Sequence, residues 1–257
     1  MILTQYTPGK IYSRIVSLVP SQTELLYCLG LEKEVAGITK FCVHPDKWFR
    51  NKTRTGGTKK INLQTIQQLS PDLIIANKEE NVKEQVEKLS EFYDVWITDV
   101  NNLNDALQMI KDIGTMTGKL QPALQLVSQI RSGFDRLSNN LHTKKRAAYF
   151  IWKDPWMVAG SDTFINDMMS HCGFENIFSD TKRYPSISLG ELKEKNPEWI
   201  LLSSEPYPFK EKHKEEIQEQ LPGVKILLVD GEMFSWYGSR LLQSAEYFLT
   251  FSDSAKG

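Results

Sequence analysis

One passage occurs twice in this chain. The stretch from Ile61 to Ile75 lies over the stretch from Ile187 to Leu201 without a gap, so that Pro71 falls on Pro197. Each copy reads as a short amphipathic helix that stops before a proline, followed by an unbroken apolar run such as Leu73-Ile74-Ile75 or Trp199-Ile200-Leu201. A strand that is apolar on both faces belongs in a parallel sheet covered by helices. Two α/β units of one design predict a two-lobed protein, and a small ligand between units is the usual consequence.

The totals leave room for this. The chain has 257 residues, 40% hydrophobic and 25% charged, and a formal net charge of −1. That charge carries no footprint for nucleic acid. No apolar run approaches the ~18 residues of a membrane span. Met1 to Pro8 shows neither a basic region nor an apolar core of a secretory signal, which predicts a cytoplasmic protein; a leader removed upstream would make it periplasmic or cell-surface instead. Three cysteines without paired spacing (Cys28, Cys42 and Cys172) predict neither disulfides nor a zinc site, with Cys28 and Cys172 read as small buried thiols. Of the histidines, only His44 lies in a candidate loop, and His142 and His213 read as surface helix residues. No metal centre follows from this set. Gly160-Ser161-Asp162 is a helix-capping sequence and Gly56-Gly57 lacks a phosphate-loop lysine, so no catalytic residue is assigned.

Along the chain, Arg14–Val19 reads as the first strand, with Ser21 capping the next helix and Glu24 as its capping-box partner. Val35–Ile38 is the second strand, and Phe41 to Lys60 a polar loop. A charged helix from about Glu80 to Phe92, the strand Val95–Thr98 and a helix to about Met116 complete an N-terminal α/β lobe, residues 1–118. Leu124, Val127, Ile130, Phe134, Leu137 and Leu141 form one apolar stripe, predicting a single linking helix over residues 119–143, a stiff rod of ~30 Å. The strand-helix rhythm restarts with Ala147–Trp152 and runs through the second copy, a polar helix from Lys210, the strand Val224–Val229 and a final helix, giving a C-terminal α/β lobe, residues 144–257. The expected fold is α/β, two lobes with parallel Rossmann-like sheets joined by one long rigid helix.

In such sheets ligands lie past the carboxyl ends of the strands. The loops there carry Ser21, Gln22, Thr58, Lys59, Asn77 and Glu79 in the first half, and Trp156, Glu205, Tyr207, Phe234, Trp236, Tyr237 and Arg240 in the second. The repeat carries Glu79 onto Glu205. Trp152, Phe209, Trp48 and Phe41 add to the aromatic content, which suits a flat, largely apolar ligand. Arg240 could clamp a ligand carboxylate or pair with Glu232. Ser21 stands where a helix N-terminus offers free N–H groups, and capping explains it equally well.

Arg14 to Glu24, Gly56-Gly57-Thr58 before Asn62-Leu63, Pro71 to Ile75, and Gly173 to Ile177 together resemble the helical-backbone substrate-binding proteins of ABC importers, the receptors for cobalamin, haem and iron siderophores. The likeness covers nearly the whole chain. It implies two lobes bridged by one helix, a ligand between them, and docking on an ABC permease through one glutamate per lobe; those positions fall on Gln64 and near Ser235, with Glu232 close by. Positions near which cobalamin receptors of this family place aromatic rings hold Thr58, Asn77 and Met233. The expected function is non-enzymatic binding of a metal-bearing organic ligand (corrinoid, haem or ferric siderophore) by a monomer, with no intrinsic cofactor and no nucleic-acid partner. Tyr184, Tyr207, Tyr237 and His44 are candidates for one axial bond to the ligand's metal. The alternatives are a cytoplasmic tetrapyrrole- or corrinoid-processing enzyme, suggested by Glu79, Glu80, Glu205 and Glu232, and a protein-interaction module.

Overall fold

The computed structural model describes residues 1–3, 9–140 and 144–253. The chain divides into two compact units. The first comprises Met1–Val100, Asn104–Gln129 and Tyr237–Arg240; the second comprises Asn101–Leu103, Ile130–Trp236 and Leu241–Gly257.

The first unit is built on a six-stranded, wholly parallel sheet. In spatial order its strands are β1 (Ile2–Leu3), β6 (Asp94–Thr98), β5 (Leu73–Asn77), β2 (Ile15–Ser17), β3 (Val35–Ile38) and β4 (Thr53–Arg54). All five residues of β5 are buried, as an apolar run in a covered parallel sheet must be. Helices α1 (Pro20–Cys28), α2 (Asp46–Asn51), α3 (Leu63–Leu69), α4 (Lys83–Ser90) and α5 (Leu103–Met116) connect or flank the strands. Val16, Leu18, Ile66, Ile74, Val86 and Val95 form one core cluster of this unit. Helix α6 (Leu120–Asn140) runs 21 residues without a break, and the stripe position Leu141 lies outside the described residues, as does His142.

The second unit carries a five-stranded sheet: β11 (Lys225–Val229), β10 (Trp199–Ser203) and β7 (Lys145–Trp152) in parallel, with β8 (Met157–Val158) antiparallel and β9 (Phe174–Asn176) parallel along β7. Its helices are α7 (Phe164–His171), α8 (Leu189–Glu194), α9 (Glu211–Gln220), α10 (Gly231–Ser235) and α11 (Leu241–Asp253). The fold is α/β with parallel-sheet units, the two-residue β8 being the one antiparallel strand among the described residues.

The repeated passage is repeated in three dimensions. Asn62 caps α3 by accepting from the Thr65 N–H at 3.1 Å; Ser188 caps α8 by accepting from the Glu191 N–H at 3.1 Å. Each helix is followed by a residue in the left-handed region, Ser70 at φ 46° and Asn196 at φ 47°, one step before the proline. The acid after the proline then ties the copy to its neighbouring strand. The Asp72 N–H donates to the Arg14 carbonyl and its carboxylate accepts from the Arg14 N–H, both at 2.9 Å; Glu198 does the same with Arg146 at 2.9 and 2.8 Å. Arg14 and Arg146 finally reach the carbonyls of Leu69 and Lys195, at the C-terminal ends of the two helices.

Three expectations change. Ser21 does not cap α1: the N-cap is Val19, without a side-chain bond, and Pro20 occupies the first turn, where its missing N–H has no partner to lose. The loop Phe41 to Lys60 contains α2 and β4. Six residues are too few to show a helical period, and α2 is held instead by Trp48, which is fully buried, edge-on to Tyr27, and donates from Nε1 to Glu32 at 2.9 Å. Cys28 is exposed, while Cys42 and Cys172 are buried.

Candidate functional site

Each sheet has a point at which successive strands turn to opposite sides, and open α/β sheets bind ligands beyond the strand ends there. In the first unit the point lies between β2 and β5, because β3 and β4 extend one edge and β6 the other. The strand ends carry a closed polar network. Gln22 is fully buried and donates from Nε2 to the Thr98 hydroxyl at 2.6 Å; Asn77 donates from Nδ2 to the Thr98 carbonyl at 3.0 Å. The Asn77 Oδ1 accepts the N–H groups of Glu79 and Glu80 at 2.8 and 3.1 Å, which folds the loop into a turn. Asn81 closes it, accepting the Asn77 N–H at 2.9 Å and donating to the Thr58 carbonyl at 3.0 Å. Lys59 lies across the same loop, its Nζ donating to the Glu79 carbonyl. The structure thus brings together Gln22, Thr58, Lys59, Asn77 and Glu79, but every polar atom of the Asn77 side chain is engaged within the protein.

Tyr237 and Arg240, expected with the second half, pack in the first unit. Arg240 grips Glu24 with two bonds, Nε to Oε2 at 3.1 Å and Nη2 to Oε1 at 2.7 Å, with 8% and 16% of the two side chains exposed. Glu24 is therefore an ion-pair partner of Arg240, in place of a capping-box acid. Gly238, at φ 115°, lets the segment lie against α1; a Cβ there would stand 3.2 Å from that of Leu25 and 3.4 Å from the Ser21 carbonyl. The Tyr237 phenol is pushed well above its ordinary 10, first by burial and then by the charges of Glu80 and Glu79. The Ser21 Oγ and the Gln22 Oε1, both buried, lie near it without completing a hydrogen bond.

In the second unit the point lies between β7 and β10. Glu205, just past β10, accepts at Oε1 from the Ser235 hydroxyl at 2.7 Å and from the Trp236 indole N–H at 2.9 Å. Burial raises its pKa above the ordinary 4.5, with Glu232 and Asp230 adding to the rise; the two hydrogen bonds oppose it. The aromatic residues separate into two sets. Phe234 is fully buried, with ring centroids 5.0 Å from Tyr149 and 4.7 Å from Phe248, so it packs the core and offers no ligand wall. Trp156 stacks on Phe209 at 6.1 Å and packs against a core cluster of this unit. Tyr207 is half-buried, edge-on to Trp152 at 5.6 Å, and Trp152 is 40% exposed. Trp152 is thus the open ring at this strand end, one the sequence places in a candidate loop without marking it as exposed.

His213, read from the sequence as a surface residue, is 3% exposed. The signal was its place three residues after Lys210, the N-cap of α9, where a capping-box side chain stands. Among the described residues no group of three or more His, Cys, Asp or Glu could hold a metal ion, and no helix is long and apolar enough to cross a membrane.

Comparison with known proteins gives a consistent answer. Residues 15–225 match the model of the family described as "Periplasmic binding protein". A vitamin B12-binding protein of Pectobacterium carotovorum is 24% identical over 91% of this chain and 86% of its own length. An uncharacterised ABC transporter substrate-binding lipoprotein of Bacillus subtilis is 26% identical over 91% of this chain and 77% of its own. The crystal structure of a periplasmic haem-binding protein from Pseudomonas aeruginosa superposes with a TM-score of 0.80 at 18% identity, covering 95% of this chain and 92% of that one.

Proposed function

Because the chain belongs to the periplasmic binding protein family, we propose that it binds a metal-bearing organic ligand, a corrinoid, haem or ferric siderophore, and releases it unaltered. The observation that carries this reading is the make-up of the strand ends at the two switch points: an open Trp152 backed by Tyr207 in one unit, and the Lys59–Glu79 loop on a prebuilt polar network in the other. An exposed ring supported edge-on by another suits the face of a flat macrocycle. The names of two relatives, for vitamin B12 and for haem, are of ligands that carry metal in a macrocycle. Of the residues singled out in the sequence, Lys59, Glu79, Glu205 and Tyr207 keep a ligand-facing role in this proposal, whereas Asn77, Trp156, Phe234, Trp236 and Arg240 support the strand ends from within.

An ABC permease is the proposed partner, and the periplasmic and lipoprotein relatives favour a working place outside the cytoplasm over a cytoplasmic one. Titration with cyanocobalamin, haemin and a ferric hydroxamate, followed by tryptophan fluorescence and visible absorbance, tests the reading. One of the three should give a saturable, stoichiometric change, be recovered unaltered, and at ~100 times its Kd stabilise the protein by about 2.7 kcal/mol. Silence with all three removes the reading, and recovery of a modified ligand replaces it with the enzyme alternative.

A further inference from the structure

We propose that His213 is a positioning residue for the 204–209 loop, which it holds when neutral and releases when protonated. The inference stands on hydrogen-bond geometry in the second unit and does not depend on which ligand is bound. The Lys210 N–H donates to His213 Nδ1 at 2.9 Å, so that nitrogen carries no proton. Nε2 then carries it and donates to the Tyr207 hydroxyl at 3.2 Å. One imidazole therefore closes the first turn of α9 and fixes the ring of Tyr207, which in turn backs Trp152. The Tyr207 and Phe209 rings enclose it, with centroids 5.4 and 5.5 Å away.

A proton on Nδ1 would set one N–H against another and break the cap. It would also put positive charge at a helix N-terminus, where the macrodipole opposes it. The charged neighbours reinforce this. Lys210 and Lys212, on α9 and its cap, and Lys153, in the β7–β8 connection, oppose a positive ring electrostatically; Glu216 of α9 acts the other way but is shared with Lys153. Burial first, and these lysines next, hold the histidine below its ordinary 6.5. The neutral form is thus the folded form, and the bonds it makes are lost as pH falls from 6.5 towards the lowered value. A glutamine would suit this position, since glutamine is the ordinary capping-box residue and does not titrate.

The test is a pH titration of the intact chain by NMR, following the His213 ring, the Lys210 amide and the Trp152 indole N–H. The three should shift together with one midpoint below 6.5, and the Lys210 amide should lose about fivefold protection, the size of one lost helix cap. In His213→Gln the Lys210 amide should keep its protection across the range, and in His213→Ala it should lack it at every pH. A His213 midpoint at or above 6.5, a Lys210 amide that does not follow the ring, or a His213→Gln protein that behaves like His213→Ala overturns the proposal. The wild-type titration and the glutamine variant decide the matter even if the alanine variant does not fold.

Discussion

The first and second copies of the repeated passage share a scaffold and differ in what they mount on it. Cap, left-handed residue, proline and acid coincide from Asn62 to Asp72 and from Ser188 to Glu198. Past the strand the copies part. After β5, Asn77 and Asn81 wrap the loop in side-chain to backbone bonds; after β10, Ser203 and a cluster of rings do the work, with Tyr149 donating to the Ser203 hydroxyl at 3.0 Å. Each unit also holds a largely buried carboxylate, and the partners are of opposite kinds. Glu24 has a guanidinium, while Glu205 has a hydroxyl and an indole N–H. The scaffold obeys the constraints of a parallel sheet, which are the same twice. The loops obey none in common, so they are free to specialise.

The contrast between the carboxylates gives the largest expected effect. Arg240→Ala removes the cation from Glu24 and should destabilise the protein by about 3–5 kcal/mol in urea unfolding, the range for a broken buried pair; a loss below about 1 kcal/mol would mean the pair is no anchor. The equivalence of the scaffolds is tested next. Asn62→Ala and Ser188→Ala should each cost about 1 kcal/mol, and a clear inequality between them would show that the copies are alike in geometry but not in energetics. The smallest effect concerns Glu205. A carboxylate whose folded pKa is raised binds a proton more readily folded than unfolded, so its charge costs stability as pH rises above 4.5. Glu205→Gln keeps an acceptor for Ser235 and Trp236, and should therefore raise the melting temperature slightly at pH 7 and flatten the decline above pH 4.5.

The scaffold was legible because it is written in short-range rules. The apolar run Trp199–Ser203 is buried along its whole length, and the residues that start and stop α3 and α8 stand at fixed offsets. What the sequence hid was tertiary in origin. Phe234 and Trp152 are both aromatic residues near strand ends, yet one is core and the other open, because only packing assigns Tyr149 and Phe248 to Phe234. Glu24 matched the spacing of a capping box and was taken by an arginine far along the chain. His213 occupies the same kind of motif without signalling it, since histidine is not its usual occupant. Local patterns name the places a side chain can go; long-range partners choose among them.

The docking of residues 237–240 onto α1 has a consequence for biosynthesis. The ribosome delivers Glu24 216 residues before Arg240, so the nascent N-terminal portion carries that acid without this guanidinium until Arg240 has emerged. A fragment ending at Gln129 inherits that defect permanently, and supplying the missing tetrad in trans would be the way to cure it.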